Sequence, residues 1–226
     1  MQLDFKAREL TVKLVYYGPA LSGKTTNLQA IHRLVSAEAT GRLMTLETQD
    51  DRTLFFDLLP LTFKSKDSGP QVRIKLFTVP GQVMHNATRR LVLQGADGIA
   101  FVADSQKSET RANQVAFRNM LDNLKEQGLD PNQLPKVVQF NKRDLPEIRP
   151  DEEIDRLAAK GEEPVFKAIA LRGIGVRETF LGLFERVWWK LEEAHALKEK
   201  FGLDPNQFLQ EVASRLAPPE QTGVVP

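Results

Sequence analysis

The sequence predicts an α/β fold of three layers, in which helices cover both faces of a mostly parallel sheet. From about residue 98 onward, short apolar segments alternate with segments of helical periodicity, the pattern of β–α–β units. Near the start, the β-rich segment Leu10–Tyr17 precedes a glycine-containing loop and then a helical pattern. Two strand-like segments flank the polar turn Lys66–Pro70, which predicts an antiparallel hairpin at the edge of the sheet.

The predicted elements follow one another along the chain. Alternating apolar and polar residues, or short apolar segments between turn residues, predict strands, and apolar residues three and four apart predict helices. The predicted strands are an edge strand in residues 1–10 and the segments 10–17, 43–46, 54–63, 71–79, 98–104, 136–140 and 165–170. The predicted helices are one that follows the glycine-containing loop and ends near Gly41, then about 108–127, 151–160, about 176–200 and 206–216.

The helix that begins near residue 176 is longer than one sheet needs. Its apolar face carries four large side chains, Phe180, Phe184, Val187 and Leu191. At 1.5 Å per residue it would be about 37 Å long if it continued to Lys200. We therefore predict a domain of residues 1–190 and a C-terminal helical extension, 191–226, that ends in a disordered tail. Two interpretations of the extension stay open: an interaction element or clasp, and a segment that simply packs on its own domain.

Composition excludes several functional classes. The charges balance, with 31 Lys and Arg against 30 Asp and Glu, so nothing favours a nucleic acid or an anionic membrane as partner. The chain has no cysteine, which excludes disulfides, thiol catalysis and cysteine-bound metals and is compatible with the cytosol. It shows no signal-peptide pattern, lipidation motif or apolar run of about 18 residues, so we expect a cytoplasmic protein without a membrane anchor.

The glycine-containing loop is a phosphate-binding motif. Residues Gly18-Pro19-Ala20-Leu21-Ser22-Gly23-Lys24-Thr25 fit G-x-x-x-x-G-K-[ST], and a strand before and a helix after are the context that this motif requires. Glycine at positions 18 and 23 lets backbone N–H groups turn inward around an anion. We expect Lys24 to reach the β- and γ-phosphates and the Thr25 hydroxyl to bind Mg²⁺. An ordinary turn with a surface lysine, the alternative, would not require this context.

A second motif indicates which base the nucleotide carries. Asn141-Lys142-Arg143-Asp144 follows a predicted strand and matches N-K-x-D. The Asp144 carboxylate can accept two parallel hydrogen bonds, from N1–H and the exocyclic amine of guanine, which adenine does not offer. Asn141 can tie this loop to the phosphate loop, and the aliphatic part of Lys142 can cover the purine. The motif favours GTP and GDP and disfavours a P-loop ATPase or kinase.

Together these segments resemble the small Ras-type GTPases and, within them, the MglA family of bacterial cell-polarity and gliding-motility GTPases. Tyr16–Leu28, Asp51–Asp57, Thr78–Gln82 and Asn141–Pro146 carry the resemblance, which covers about residues 3–190. It implies the three-layer fold of P-loop NTPases, a Mg²⁺-dependent GTP/GDP switch and a GTP-dependent move of the second strand of the sheet. It also implies a roadblock-domain activating partner and effectors that bind the GTP state.

The resemblance assigns roles to single residues. Thr53 lies in the first switch, where the family's threonine contacts the γ-phosphate and Mg²⁺, and Gln82 matches the glutamine that orients the attacking water. Arg52 resembles the arginine that this family supplies in cis; the alternative is a solvated surface arginine. Phosphate binding is assigned to Gly18, Pro19, Ala20, Leu21, Ser22, Gly23, Lys24, Thr25, Thr26, Thr53 and Gly81, guanine binding to Asn141, Lys142, Asp144, Ala170 and Leu171, catalysis to Lys24, Arg52 and Gln82, and metal binding to Thr25 and Thr53.

Two positions depart from the general Ras pattern. Thr78 stands where most small GTPases have the aspartate of D-x-x-G, a substitution that the MglA family shares, and its hydroxyl brings no charge to the metal. Ala170-Leu171-Arg172-Gly173 replaces the usual Ser-Ala-Lys, so only a backbone N–H of Ala170 or Leu171 remains to bind guanine O6.

The leading interpretation is a GTP-hydrolysing switch of the MglA type that controls cell polarity or motility through its effectors, recruited to a cell pole by partners. The alternative is a nucleotide-loaded scaffold with little hydrolysis, for which the neutral Thr78 is the motive.

Overall fold

The computed structural model describes residues 1–4, 7–46, 56–64, 69–82 and 85–217. It confirms the predicted α/β fold, in which a mixed sheet lies between two layers of helices. The strands are β1 (Gln2–Asp4), β2 (Glu9–Tyr17), β3 (Met44–Leu46), β4 (Phe56–Lys64), β5 (Gln71–Thr78), β6 (Gly98–Asp104), β7 (Lys136–Asn141) and β8 (Val165–Lys167). The helices are α1 (Lys24–Leu34), α2 (Asn86–Leu93), α3 (Thr110–Glu126), α4 (Asp151–Lys160), α5 (Val176–His195), α6 (Leu197–Phe201) and α7 (Pro205–Ser214).

The strand order β3-β4-β5-β2-β6-β7-β8 brings the two sequence motifs to one edge of the sheet. Strands β5, β2, β6, β7 and β8 are parallel neighbours, whereas β4 pairs antiparallel with β3 and β5, and β1 pairs antiparallel with β2. The carboxyl ends of parallel strands meet at the same edge. The loops after β2, β6 and β7 therefore lie side by side there.

Side chains of β2 alternate between the two faces of the sheet. Leu14 and Tyr16 are buried in a core that also contains side chains of α1, α5 and α7, whereas Val15 and Tyr17 are buried among side chains of α2, α3 and α4. A strand whose two faces are both covered has a continuously apolar sequence, as the second half of β2 has.

The C-terminal segment folds back on the first of these cores. Phe208 of α7 is 2% exposed and stacks on the Trp188 ring, with centroids 4.5 Å apart. The end of the segment pairs with the end of α1 through a bridge between Val35 and Leu216. The Arg177 guanidinium donates to the carbonyl oxygens of Ala213 and Leu216 at 3.0 and 3.1 Å. Residues 205–217 are thereby packed on α1 and α5.

Three predicted elements differ from the observed ones. The first helix ends at Leu34 instead of near Gly41, because Val35 is extended and takes part in the bridge to Leu216. The long helix does not continue to Lys200: it ends at His195, since Ala196 adopts a left-handed conformation with φ of 52° before the short α6 begins. The last strand ends at Lys167, three residues before Ala170.

Helix α2 was not predicted at all. Its buried side includes Thr88 and Arg89 beside Val92 and Leu93, so the apolar periodicity that marks a helix is missing from half of this face. None of the described helices is both long enough and apolar enough to cross a bilayer. The predicted disordered tail falls on 218–226, outside the described residues.

Candidate functional site

The phosphate loop turns tightly between β2 and α1, and two glycines make that turn possible. A Cβ atom on Gly18 would lie 2.2 Å from the carbonyl oxygen of Val102, and one on Gly23 would lie 2.2 Å from Nδ2 of Asn141. Both residues also have positive φ, 152° and 97°. Any side chain at either position would therefore push the loop away from β6 or from the end of β7.

Lys24 begins α1 and is buried inside this loop. Its ammonium group donates hydrogen bonds to the carbonyl oxygens of Gly18 at 3.1 Å and Pro19 at 2.6 Å. Burial, and then the positive charge of Arg89, lower the pKa of Lys24 to about 7, whereas Asp57 acts in the opposite direction. A bound phosphate would stabilise the charged form of this lysine.

The Asn141 side chain joins three loops. Its Nδ2 donates to the carbonyl oxygen of Ser22 at 2.9 Å, and its Oδ1 accepts from the backbone N–H of Ala170 at 2.9 Å. The phosphate loop, the loop after β7 and the loop after β8 are thus held in one arrangement. The N–H of Ala170 is already bonded to Asn141. Of the two backbone donors expected to bind guanine O6, the N–H of Leu171 is therefore the one that remains.

The remaining residues assigned to the base lie at the open side of this arrangement. The Asp144 carboxylate is exposed, and so is Leu171, at 75%. Lys142 has a positive φ of 65°, and its ammonium pairs with Asp104 at 2.6 Å. That ion pair fixes the aliphatic part of the lysine between the ends of β6 and β7.

On the other side of Lys24, a buried carboxylate faces the phosphate loop. Oδ2 of Asp57 accepts hydrogen bonds from the hydroxyls of Thr25 at 2.6 Å and Thr78 at 2.9 Å, and Oδ1 accepts from Thr45 at 2.9 Å. Asp57 is 6% exposed. Sequence reasoning gave this residue no role; the available signal was a single acid in the otherwise apolar start of β4.

These groups line a cavity of about 410 Å³ beside the phosphate loop. Its wall includes Lys24, Thr25, Asp57, Thr78 and Gly81. The volume lies within the range of small-ligand sites. A hydroxyl next to a buried carboxylate is the donor set that suits a hard cation such as Mg²⁺, which takes oxygen ligands and keeps part of its water shell.

The turn after β5 closes against the phosphate loop. A Cβ atom on Gly81 would lie 2.3 Å from Cα of Ala20, so only glycine allows this approach. Gln82, the next residue, is exposed. Arg52 and Thr53 lie outside the described residues, and their assigned roles stay predictions.

The chain is similar to a known gliding-motility protein. No family model matches the chain. Among curated proteins, the mutual gliding-motility protein MglA of Myxococcus xanthus (strain DK1622) is 44% identical over 191 residues. The matched region covers 84% of this chain and 97% of that protein.

Proposed function

The chain belongs to the MglA family of small GTPases, and on that premise we propose that it binds GTP and GDP with Mg²⁺ and works as a GTP-hydrolysing switch. The observation that carries the proposal is the Asn141 side chain, which holds the phosphate loop and the two base-side loops together. A guanine seated against Asp144 would then have its phosphates beside Lys24. The name of the relative, a mutual gliding-motility protein, further supports a role in gliding motility.

The site residues have separate tasks in this proposal. The backbone of residues 18–26 and the Lys24 ammonium bind the phosphates, and Asp144 accepts from the two guanine donors. Mg²⁺ would be held by the Thr25 hydroxyl, by Thr53 and by phosphate oxygens, and when bound it neutralises charge on the transferring group. Gln82 orients the attacking water.

Hydrolysis would depend on a partner. Gln82 is exposed, so an activating protein that binds over it can fix its orientation. We propose a roadblock-type protein as this activator and effectors that bind the GTP state. Arg52, supplied in cis, would then stabilise the charge that develops on the γ-phosphate.

A nucleotide-loaded scaffold with little hydrolysis is the second candidate. The neutral Thr78 at the metal side favours it. Two measurements separate the candidates: competition of GTP, GDP, ATP and XTP for a fluorescent guanine nucleotide, and single-turnover hydrolysis with and without a roadblock partner. Selective guanine binding with partner-stimulated hydrolysis supports the switch, and guanine binding without turnover under either condition supports the scaffold.

A further inference from the structure

We propose that Asp57, on β4, is the carboxylate of the magnesium site and takes the place of the acid that Thr78 lacks on β5. The inference rests on the proposed function, since it concerns the metal that accompanies the nucleotide. Most small GTPases carry this acid at the position of Thr78, whereas Asp57 lies on the neighbouring strand.

The first support is the hydrogen bond between Thr25 and Asp57. The Thr25 hydroxyl donates to Oδ2 of Asp57 at 2.6 Å, the distance expected for a hydroxyl that donates to a carboxylate. Because this hydroxyl donates its hydrogen bond to Asp57, a lone pair of its oxygen stays free on the side that faces away from Asp57. In P-loop NTPases the metal is held by the serine or threonine of the phosphate loop together with an aspartate. Asp57 therefore positions Thr25 for a cation without having to bind that cation directly.

The second support is the environment of the carboxylate. Asp57 is almost fully buried, and the partners of its oxygens are three hydroxyls, those of Thr25, Thr45 and Thr78. These donors are neutral, so they do not compensate the charge of the carboxylate, which acts on the Lys24 ammonium. A divalent cation beside the nucleotide would compensate this charge further. The buried acid thus favours binding of the metal.

The third support is the way in which Thr78 is held. Its Oγ1 accepts from the backbone N–H of Asp57 at 2.8 Å and donates to Oδ2 of the same residue at 2.9 Å. An aspartate at position 78 would bring a second carboxylate next to the first, and two carboxylates sharing one site repel each other. Threonine at position 78 therefore goes together with aspartate at position 57: the site has one carboxylate, and it lies on β4 instead of on the antiparallel neighbour β5.

The competing explanation gives Asp57 a purely structural task. Its hydrogen bonds tie β3, β4 and β5 to α1, which would stabilise the fold whether or not a metal binds. The two explanations differ in one observable. A structural residue affects nucleotide release equally with and without Mg²⁺, whereas a residue of the metal site affects only the part of release that Mg²⁺ controls.

The experiment measures release of a fluorescent GDP from the full chain over a titration of Mg²⁺, and again in EDTA. For Asp57→Asn we expect the Mg²⁺ concentration for half-maximal slowing to rise by at least about tenfold, as for other residues that position metal ligands. Release in EDTA should change by less than about threefold. Asp122→Asn, the same change at an exposed site on α3, is the matched control and should behave as the parent. An unchanged Mg²⁺ dependence in Asp57→Asn overturns the proposal.

A charge swap tests the same point independently of that variant. Thr78→Asp alone should weaken the response to Mg²⁺, and Asp57→Thr with Thr78→Asp should restore it, because one carboxylate again faces Thr25. If the swapped protein folds but stays insensitive to Mg²⁺, the proposal is wrong. If both Asp57→Asn and the swap fail to fold, Asp57 is a structural residue and the proposal is equally wrong. Absence of guanine-nucleotide binding by the parent protein would instead refute the proposed function.

Discussion

Arg89 holds Gly81 in place: its Nη2 donates to the carbonyl oxygen of Gly81 at 2.6 Å. The same guanidinium donates to the carbonyl oxygen of Pro80 at 2.9 Å and to Asn119 at 2.6 Å. It is 1% exposed, and these partners are all neutral oxygens. One buried side chain of α2 therefore fixes the turn from which Gln82 extends and joins it to α3.

This arrangement predicts that Arg89 controls hydrolysis more than nucleotide binding. Lysine in its place keeps the charge but lacks the planar guanidinium, whose three nitrogens each reach a different one of these oxygens. We expect Arg89→Lys to lower partner-stimulated hydrolysis by at least about tenfold, since small displacements of a water-positioning residue are costly. GDP affinity should stay within about threefold. Arg90→Lys, at the exposed neighbour that pairs with Glu126, is the control. Equal losses in affinity and hydrolysis would mean that Arg89 only stabilises the fold.

The lowered pKa of Lys24 predicts a pH dependence of stability. The charged lysine is disfavoured in the folded state, so between about pH 7 and 10.5 the unfolded chain binds more protons than the folded one. The free energy of unfolding of nucleotide-free protein should therefore rise with pH across this window. Lys24→Met should remove the rise, and Lys125→Met, at an exposed site, should retain it. Denaturant titrations at pH 6.5 to 9.5 measure it; an identical slope in Lys24→Met would contradict the assignment.

Asp144 should determine which base is accepted. Its carboxylate is exposed at the open side of the site, where it can meet both guanine donors. In Asp144→Asn the amide cannot accept from both, so we expect weaker GDP binding by about 1.5–3 kcal/mol and a preference for xanthine nucleotides. Competition of GDP and XDP for a fluorescent nucleotide measures it, with Asp122→Asn as control. Unchanged GDP affinity would remove Asp144 from the guanine site.

The prediction for Arg52 rests on the family resemblance alone, because residues 47–55 are not described. A guanidinium supplied in cis offers planar donors and a fixed charge to the γ-phosphate in the transition state. We expect Arg52→Ala to keep GTP affinity within several-fold and to lower partner-stimulated turnover by about a hundredfold, roughly 2.7 kcal/mol of barrier. Gln82→Leu should have a similar effect. Turnover of Arg52→Ala at the parent rate, with the partner saturating, would make Arg52 a surface residue.

The sequence predicted the sheet and its two loops well because their signals are local. A phosphate motif between a strand and a helix needs no tertiary information, and neither does the alternation in β5. The elements that were missed depend on distant contacts. Helix α2 buries Arg89 against Pro80 and Gly81, and α1 ends where Val35 meets Leu216, 181 positions further along the chain. Asp57 had no visible role because its partners come from three other elements, α1, β3 and β5.

The packing of α7 predicts that the C-terminal segment stabilises the domain. Phe208 lies between Trp188 and Phe184, with ring centroids 4.5 and 6.2 Å away, and Val212 is fully buried one turn further along. Truncating a buried phenylalanine removes apolar contacts and leaves a cavity, so Phe208→Ala should lower the free energy of unfolding by about 3–5 kcal/mol. Gln210→Ala, on the exposed side of α7, should change it by less than about 0.5 kcal/mol.

A chain that ends at residue 195 should lose more stability than Phe208→Ala alone. The reason is that Arg177, in the first turn of α5 and just after the Ala170–Gly173 loop, also connects α5 to α7. Denaturant unfolding with GDP present measures all three; parent stability in the truncated chain would show that α7 is a dispensable attachment.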